Sequence, residues 1–115
     1  MGTKKNDILQ GTLTLLILRM LEAKGAMHGY ALTKQIQDTS EDLLRVEEGS
    51  LYPALHRLEQ ESLIASDWGV TEKGRRARFY SITNSGRQQL EEERRNWERL
   101  TKGVSRVLRC APMET

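Results

Sequence analysis

The spacing of apolar and polar positions predicts four helices and one region of alternating residues. The first helix is expected over residues 7–24, with Asp7 as its N-cap and Gly25 as the residue that ends it. A surface helix of a small monomer needs one apolar face, whereas this segment has two. The second face indicates either a central position in the domain or a contact with another subunit. The first face comprises Leu9, Leu13, Leu16, Ile17 and Met20, and the second comprises Ile8, Leu15 and Leu18.

Two shorter patterns follow the first helix. Residues 28–39 form the second predicted helix, in which Leu32 and Ile36 face inward at i and i+4. Leu44 and Val46 are then expected to form a very short strand.

The third predicted helix has an unusual polar face. It is expected to begin with Ser50 as its N-cap and to end near residue 61, with Pro53 in its first turn, where a missing N–H costs nothing. Its inner stripe is formed by Leu51, Leu55 and Leu58. A solvated outer face normally carries Glu, Lys and Gln. The outer face here instead carries Tyr52, Pro53, His56, Arg57 and Gln60.

Residues 63–83 alternate on both sides of a glycine- and arginine-containing segment, which predicts a β-hairpin. A last helix is capped by Thr83, Asn84 or Ser85 and runs to about residue 109. The predicted fold class is therefore mainly α with a small β-hairpin. The order of elements is that of a winged helix-turn-helix domain over residues 1–83, followed by a long C-terminal dimerisation helix and tail over residues 84–115.

The composition limits the number of domains, the possible partners and the cellular compartment. A chain of 115 residues suits one domain, and its net charge of +2 is too small to identify a polyanionic partner without the distribution of charge. The single cysteine, Cys110, excludes an internal disulfide and indicates a reducing, cytoplasmic compartment. The apolar run over residues 8–21 is too short to cross the roughly 30 Å hydrocarbon core of a bilayer, so no membrane partner is expected.

The odd face of the third helix fits contact with double-stranded DNA. A helix-turn-helix lays its second helix in the major groove, where outward side chains meet phosphates and bases. Arg57 can bind a phosphate or a guanine, and Pro53 can touch a thymine methyl. Tyr52 and His56 offer hydrogen bonds, and Ser50 with the first-turn N–H groups suits a phosphate. Taken singly, each residue fits an ordinary role equally well: Tyr52 can pack on the first helix, and His56 can be a surface histidine.

A basic cluster on the hairpin supports the DNA interpretation. Such a run is usually a solvated turn, but here it occupies the position of a wing beside a minor groove or phosphate strand. Only Glu72 opposes it. The predicted wing contacts are Lys73, Arg75, Arg76 and Arg78, and the second helix is expected to add His28, Tyr30 and Lys34.

Apolar residues on the last helix recur seven apart and indicate a short coiled-coil-like seam. Together with the second face of the first helix, this seam predicts a homodimer that presents two recognition helices to successive major grooves. Trp97 on the seam is expected to pack in the interface, and the alternative is that a small, flat aromatic effector stacks on it between subunits. The predicted interface comprises Leu15, Leu18, Leu90, Trp97, Leu100, Val104 and Val107.

Four blocks of sequence form a recognisable set: LQGTLTLLILRML (9–21), MHGYALTKQI (27–36), VEEGSLYPALHRLE (46–59) and WGVTEKGRRARFYSIT (68–83), followed by SGRQQL and NWERL. The set resembles the PadR-like transcriptional regulators, specifically their short, acidobacterial-type branch. The resemblance implies a winged-helix dimer joined through its first and last helices. It also implies promoter binding, usually as a repressor of a neighbouring transporter, permease or stress operon, through the third-helix and wing residues named above.

The sequence departs from the family pattern at three points. Ser62 stands where many relatives have the glycine that ends the recognition helix. A non-glycine residue in the left-handed conformation costs on the order of 1 kcal/mol, so Ser62 is either strained or the helix ends differently. Ala26 replaces a frequent proline. The longer C-terminal domain of larger relatives is absent, which weakens the case for small-molecule sensing.

Other function classes have less support. Ser50 and His56 lack an acid to orient the histidine and a glycine-rich elbow, so no enzymatic activity is expected. His28 and His56 lack cysteine or carboxylate partners at metal-ligand spacing, so no metal or other cofactor is expected. One alternative is a winged-helix protein-interaction module without DNA binding, for which a hairpin of mixed charge would be characteristic. Another is a different winged-helix family, such as the MarR-like regulators, with the same contact face and a different dimer.

Overall fold

The computed structural model describes residues 3–113, with side chains from residue 12 onward. Within that range the chain forms four helices and a three-stranded antiparallel sheet in the order β1-β3-β2. The helices are α1 (Thr3–Lys24), α2 (Gly29–Thr39), α3 (Glu48–Gln60) and α4 (Asn84–Leu108). The strands are β1 (Met27–His28), β2 (Ile64–Val70) and β3 (Arg76–Ile82). The predicted fold class and the winged helix-turn-helix order are confirmed.

Helix α1 is the centre of the domain and contacts α2, α3, α4 and β3. Leu18, predicted at a dimer interface, is fully buried in the chain's own core, so the prediction for this residue is wrong. The second apolar face is mostly explained by this central position, with Leu15 half-buried beside the core. The buried core comprises Leu13, Ile17, Leu18, Met20, Leu21, Met27, Leu32, Ile36, Val46, Leu51, Ala54, Leu55, Leu58, Ile64, Tyr80 and Leu90.

The start of α1 differs from the prediction, whereas its end agrees with it. The helix begins at Thr3, so Asp7 lies inside it and is not its N-cap. The side chains of Ile8 and Leu9, which were assigned to the two apolar faces, lie outside the described residues. At the other end, Gly25 follows the helix with a φ of +88° and bonds back to the carbonyl of Leu21 at 3.0 Å.

The third strand comes from a different segment than predicted. Met27 and His28 pair with Tyr80 and Phe79 of β3, whereas residues 44–47 form a loop without strand pairing. A two-residue strand is too short to show an alternating period, so no local pattern of residues predicts it. Val46 is buried as an anchor of the loop, which explains its apolar character.

Helix α3 begins earlier than predicted. Glu47 is its N-cap residue and makes no side-chain capping bond, so the assignment of Ser50 as N-cap is wrong and Ser50 lies in the first turn. Pro53 is consequently in the second turn. Its missing N–H leaves the carbonyl of Gly49 without the usual helical donor, but the helix continues unbroken to Gln60.

The hairpin and α4 are joined tightly. Thr83 caps α4, its Oγ1 accepting a hydrogen bond from the Gly86 amide at 3.0 Å. A Cβ on Gly86 would overlap the carbonyl oxygen of Leu63, so the first turn of α4 touches the backbone that enters β2. Leu90 is fully buried in the core, and its assignment to a dimer interface is also wrong. Beyond Leu90 the helix leaves the core, and the molecule extends over 66 × 30 × 25 Å.

Candidate nucleic-acid interface

Helix α3 turns three sides toward different surroundings. Pro53, His56 and Gln60 lie opposite the buried leucines, at about 100° per residue along the helix, and all three are exposed. Tyr52 lies on the side that faces α2, and Arg57 lies on the side that faces α1. Gln60 is an addition to the predicted contact residues, and its position on the outer stripe is the signal for it.

Tyr52 packs across the start of α2 rather than on the first helix. Gly29 has no side chain there, and a Cβ at that position would overlap the Tyr52 ring. The tyrosine nevertheless keeps 44% of its surface exposed. Partial burial and the nearby Glu48 carboxylate raise the pKa of Tyr52, so its hydroxyl stays protonated and available as a donor.

Arg57 is fixed at the other edge of α3. Its Nη2 donates a hydrogen bond to Thr14 Oγ1 of α1 at 3.2 Å, and the residue remains exposed. Ser50, on the same side of the helix, is half-buried. A guanidinium has five N–H donors, so one bond to Thr14 leaves Arg57 able to bind an external acceptor.

The wing is the β2–β3 hairpin with the turn that joins the two strands, residues 64–82. Lys73 and Arg75 lie in the turn, which is closed by hydrogen bonds between Thr71 and Arg75 and by Gly74 at a φ of +77°. Arg76 and Arg78 lie on β3 above the ring of Trp68, with guanidinium carbons 4.6 and 5.3 Å from the ring centroid. All four predicted basic residues are exposed.

At the start of α2, a histidine caps the helix and contacts two aromatic rings. His28 is the N-cap residue, and its Nδ1 accepts a hydrogen bond from the Ala31 amide at 3.4 Å. Its ring stacks on Tyr30 and meets Phe79 edge-on, so His28 supports the helix terminus. Tyr30 is 61% exposed, and the exposed Lys34 lies 3.8 Å from Asp38.

An open cleft of about 1260 Å³ lies between α2, α3 and the wing. It brings together eight of the predicted contacts: His28, Tyr30, Lys34, Tyr52, Lys73, Arg75, Arg76 and Arg78. The remaining four, Ser50, Pro53, His56 and Arg57, lie outside the cleft on the outer and α1-facing sides of α3. The predicted residues thus form one continuous surface made of α3, the cleft and the wing.

Trp68 is a residue of this surface that the sequence did not single out. It is 54% exposed, it lines the cleft, and it is directly opposite Arg78 in the β2–β3 register. Trp68 can be recognised once the hairpin register is known. A tryptophan then lies across the ladder from one arginine, and another arginine is two residues away.

A second exposed surface lies on α4, away from the wing. Trp97, Leu100 and Val104 keep 41%, 57% and 48% of their surface exposed, and Val107 keeps 74%. These four side chains follow one stripe on the part of α4 that extends past the core. Among the predicted interface residues, this stripe and the half-buried Leu15 are the ones available to a partner.

Within residues 12–113, no group of three or more His, Cys, Asp or Glu side chains is arranged to hold a metal ion. No helix in the described part of the chain has the length and apolar character needed to span a bilayer.

The chain is similar in sequence to known proteins. Residues 17–92 match the family model described as the transcriptional regulator PadR-like family. The transcriptional regulator Rv3488 of Mycobacterium tuberculosis is 43% identical over 82 residues, which cover 71% of this chain and 73% of that protein.

Solved structures give the same result at the level of the fold. A transcriptional regulator from Clostridium thermocellum superposes with a TM-score of 0.78 at 30% identity, covering 87% of this chain and 96% of the other. A PadR family transcriptional regulator from Eggerthella lenta has a TM-score of 0.77 at 30% identity, with 96% and 93% covered.

Proposed function

The chain belongs to the PadR-like family of transcriptional regulators, and from that premise we propose that it is a homodimeric repressor that binds operator DNA. It is a transcriptional regulator rather than an enzyme. The observation that carries the proposal is the continuous surface formed by the outer stripe of α3, the cleft and the basic wing. Because chromosomal DNA is the proposed partner, a cytoplasmic location is proposed as well.

The outer stripe of α3 is proposed to read bases in the major groove. His56 and Gln60 offer hydrogen-bonding groups, and Pro53 offers a compact apolar surface suited to a thymine methyl. Arg57, held by Thr14 at one edge of the helix, is placed to bind a guanine or the adjoining phosphate. Ser50 lies in the first turn, and its hydroxyl is proposed to bind a phosphate.

The wing and the start of α2 are proposed to bind the sugar-phosphate backbone. Lys73, Arg75 and Arg76 are exposed cations at or next to the wing tip, with Glu72 as the acidic residue in the turn. Contacts of this kind release condensed counterions, so affinity should fall steeply with salt. They position the protein without reading sequence.

The stripe on α4 is proposed as the dimer interface. Exposed tryptophan, leucine and valine side chains along one helix face are unfavourable in water and are expected to be covered. Arg95, Arg99, Lys102 and Arg106 recur at i, i+4, i+7 and i+11 and lie on the side of α4 opposite the stripe. The stripe itself is apolar, which suits the same stripe on a second copy of the chain as its cover.

A small aromatic effector is a second proposal for the same interface. Trp97 is 41% exposed on the stripe and offers a stacking surface between subunits. A titration with a panel of planar aromatic compounds, followed by tryptophan fluorescence, tests it, with Trp97→Phe as the control that separates Trp97 from Trp68. Quenching that is lost in Trp97→Phe supports the effector site, and quenching that persists there assigns the signal to Trp68 and contradicts it.

On the strength of the family resemblance, we propose that the chain represses a neighbouring operon of transporter, permease or stress type. The direct test is fluorescence anisotropy with duplex DNA from the region upstream of the chain's own gene, against a scrambled duplex, at two salt concentrations. We expect preference for the upstream duplex and weaker binding at the higher salt. Absent binding of both duplexes would favour a winged-helix module that binds another protein, and equal binding of both would contradict recognition of a specific operator.

Two variants separate the proposed roles. His56→Ala should reduce discrimination between the duplexes by about 1–3 kcal/mol, the range for loss of one base contact. Arg76→Ala should weaken binding to both duplexes alike and lower the salt slope by about 1. If both variants lose discrimination equally, the division between a reading helix and a positioning wing is wrong.

A further inference from the structure

One carboxylate on α3 is joined to the wing by a short network. Ser66 Oγ of β2 donates to Glu59 Oε2 at 2.5 Å, and Arg78 Nη1 of β3 donates to Ser66 Oγ at 3.3 Å. The same Arg78 nitrogen lies 3.8 Å from Glu59 Oε1. The Arg78 guanidinium also lies over the Trp68 ring at 5.3 Å, so it is held between an aromatic face and a carboxylate.

The two arginines on β3 therefore differ in their surroundings. Arg76 is two residues nearer the wing tip, in the last pair of the hairpin with Val70, and it also lies over Trp68. Within residues 12–113 it makes no ion pair, whereas Arg78 pairs with Glu59. The sequence presents both as equivalent members of a basic run, but of the two only Arg78 would have to break an ion pair in order to meet a phosphate.

The position of Glu59 needs an explanation of its own. A carboxylate on the flank of a helix that enters a DNA groove repels the phosphates, so a neutral residue would serve binding better. The Arg78 guanidinium, 3.8 Å from the Glu59 carboxylate, offsets part of this repulsion. The pair also links α3 to the middle of the wing, beyond the buried Ile64 at its base.

We infer that Glu59 is a positioning residue that sets the wing relative to the recognition helix through Ser66 and Arg78. In this arrangement Arg78 acts through Glu59, and Arg76 carries the phosphate contact. Because an exposed ion pair contributes little to stability by itself, the effect is expected in DNA binding rather than in folding. The inference rests on the proposed DNA binding and adds to it the element that fixes the wing.

A mutant cycle on the full-length protein tests the inference. Glu59→Gln, Arg78→Gln and the double variant are compared for affinity and salt slope with the upstream duplex. Glu61→Gln is the matched control, since it removes the same charge two residues away from an exposed side chain. Arg76→Gln is the reference for a direct phosphate contact.

The expected result is that Glu59→Gln weakens binding by about five- to tenfold, the coupling typical of residues in one network. Glu61→Gln should leave affinity unchanged or increase it. The double variant should bind no more weakly than Arg78→Gln alone, because each single change already breaks the network. Arg78→Gln should leave the salt slope unchanged, whereas Arg76→Gln should lower it by about 1.

Other outcomes contradict the inference. Tighter binding by Glu59→Gln, as for Glu61→Gln, would mean that Glu59 only repels DNA. Additive effects together with a reduced salt slope in Arg78→Gln would mean that Arg78 binds a phosphate directly. Failure of the wild-type protein to bind any duplex contradicts the proposed function as well, which separates the two failures. If Glu59→Gln does not fold, Ser66→Ala takes its place, with weaker binding expected and wild-type affinity contradicting the network.

Discussion

Ser62 lies in the left-handed region of backbone space, with a φ of 62°. It follows α3 as the residue that reverses the chain direction. Its amide bonds to the Glu59 carbonyl and the Leu63 amide bonds to the Leu58 carbonyl, both at 3.0 Å. This pair of bonds is a Schellman motif, in which glycine is the usual residue at the position of Ser62. Of the two alternatives open from the sequence, the structure has the strained one.

Ser62→Gly should therefore stabilise the protein by about 1 kcal/mol, because it removes the steric cost of a side chain at positive φ. Thermal or urea unfolding measures the difference. Gln60→Gly is the matched control: it places glycine at an ordinary helical position nearby and should destabilise by about 0.5–1 kcal/mol. Destabilisation by Ser62→Gly would show that the Ser62 side chain contributes more than its backbone conformation costs.

Tyr80 gives the fold a dependence on alkaline pH. The residue is 7% exposed, and burial, with the Glu59 carboxylate nearby, raises its pKa. The folded state thus keeps the phenol proton more tightly than the unfolded state does. The free energy of unfolding should be unaffected by this group below about pH 10 and should fall as the pH rises above it.

Tyr80→Phe should flatten that decline, since the variant has no phenol to ionise. Urea unfolding of both proteins over a series of alkaline pH values measures the slope. Tyr30→Phe, which removes a phenol from an exposed side chain, is the control. An unchanged slope in Tyr80→Phe would show that the alkaline decline has another source.

Among the elements, α4 shows how one helix uses two glycines differently. At Gly86 the helix touches the chain that enters β2, and a Cβ would overlap the Leu63 carbonyl and the Ile82 side chain. At Gly103 a Cβ would meet nothing within 4 Å. The same substitution should consequently have opposite effects at the two sites.

Gly86→Ala should destabilise the fold by about 1–3 kcal/mol or more, because backbone must shift to admit the methyl group. Gly103→Ala should stabilise the helix by up to about 1 kcal/mol through its better helix propensity. Thermal unfolding at a low protein concentration, where association contributes least, measures both. A loss of stability in Gly103→Ala under those conditions would contradict the open surroundings of that position.

The helices show which features of the fold can be predicted from the sequence. The stripe of Leu51, Leu55 and Leu58 fixed α3 and its outer face, because a 3.6-residue period identifies buried positions directly. Periodicity does not identify which element covers an apolar residue. The pattern therefore predicts Leu18 and Leu90 at a subunit interface, although the chain's own core covers them.

The candidate site likewise has features that the sequence predicts and features that it does not. The exposed basic residues of the wing were predictable from charge and turn residues alone. The pairing of Arg78 with Glu59, and the position of Trp68 beneath two arginines, depend on the register of the hairpin and its approach to α3. The packing of the hairpin against α3 leaves no local pattern in the sequence. The different contacts of the two similar arginines could therefore not be predicted.

At the scale of the whole molecule, an elongated shape and an open apolar stripe go together. The part of α4 beyond Leu90 has no other described element covering its Trp97, Leu100 and Val104 side chains. A dimer would bury this stripe and set two copies of α3 at a fixed separation, as two half-sites one helical turn apart require.

Replacing Leu100 and Val104 by Gln should weaken or abolish this dimer while the domain stays folded, since neither side chain belongs to the buried core. Sedimentation equilibrium or light scattering measures the change, from twice the 13.2 kDa chain mass toward the monomer value. Arg95→Gln, on the opposite side of α4, is the control and should leave the mass unchanged. A wild-type protein that stays monomeric at high concentration would contradict the proposed interface.

The measurement that tests the central proposal most directly is amide chemical-shift mapping of the protein titrated with the upstream duplex. The largest changes should occur over residues 48–60 of α3 and 71–78 of the wing, with small changes over residues 97–107 of α4. Changes concentrated on α4, with α3 and the wing unaffected, would contradict the proposal that the outer face of α3 and the wing meet DNA.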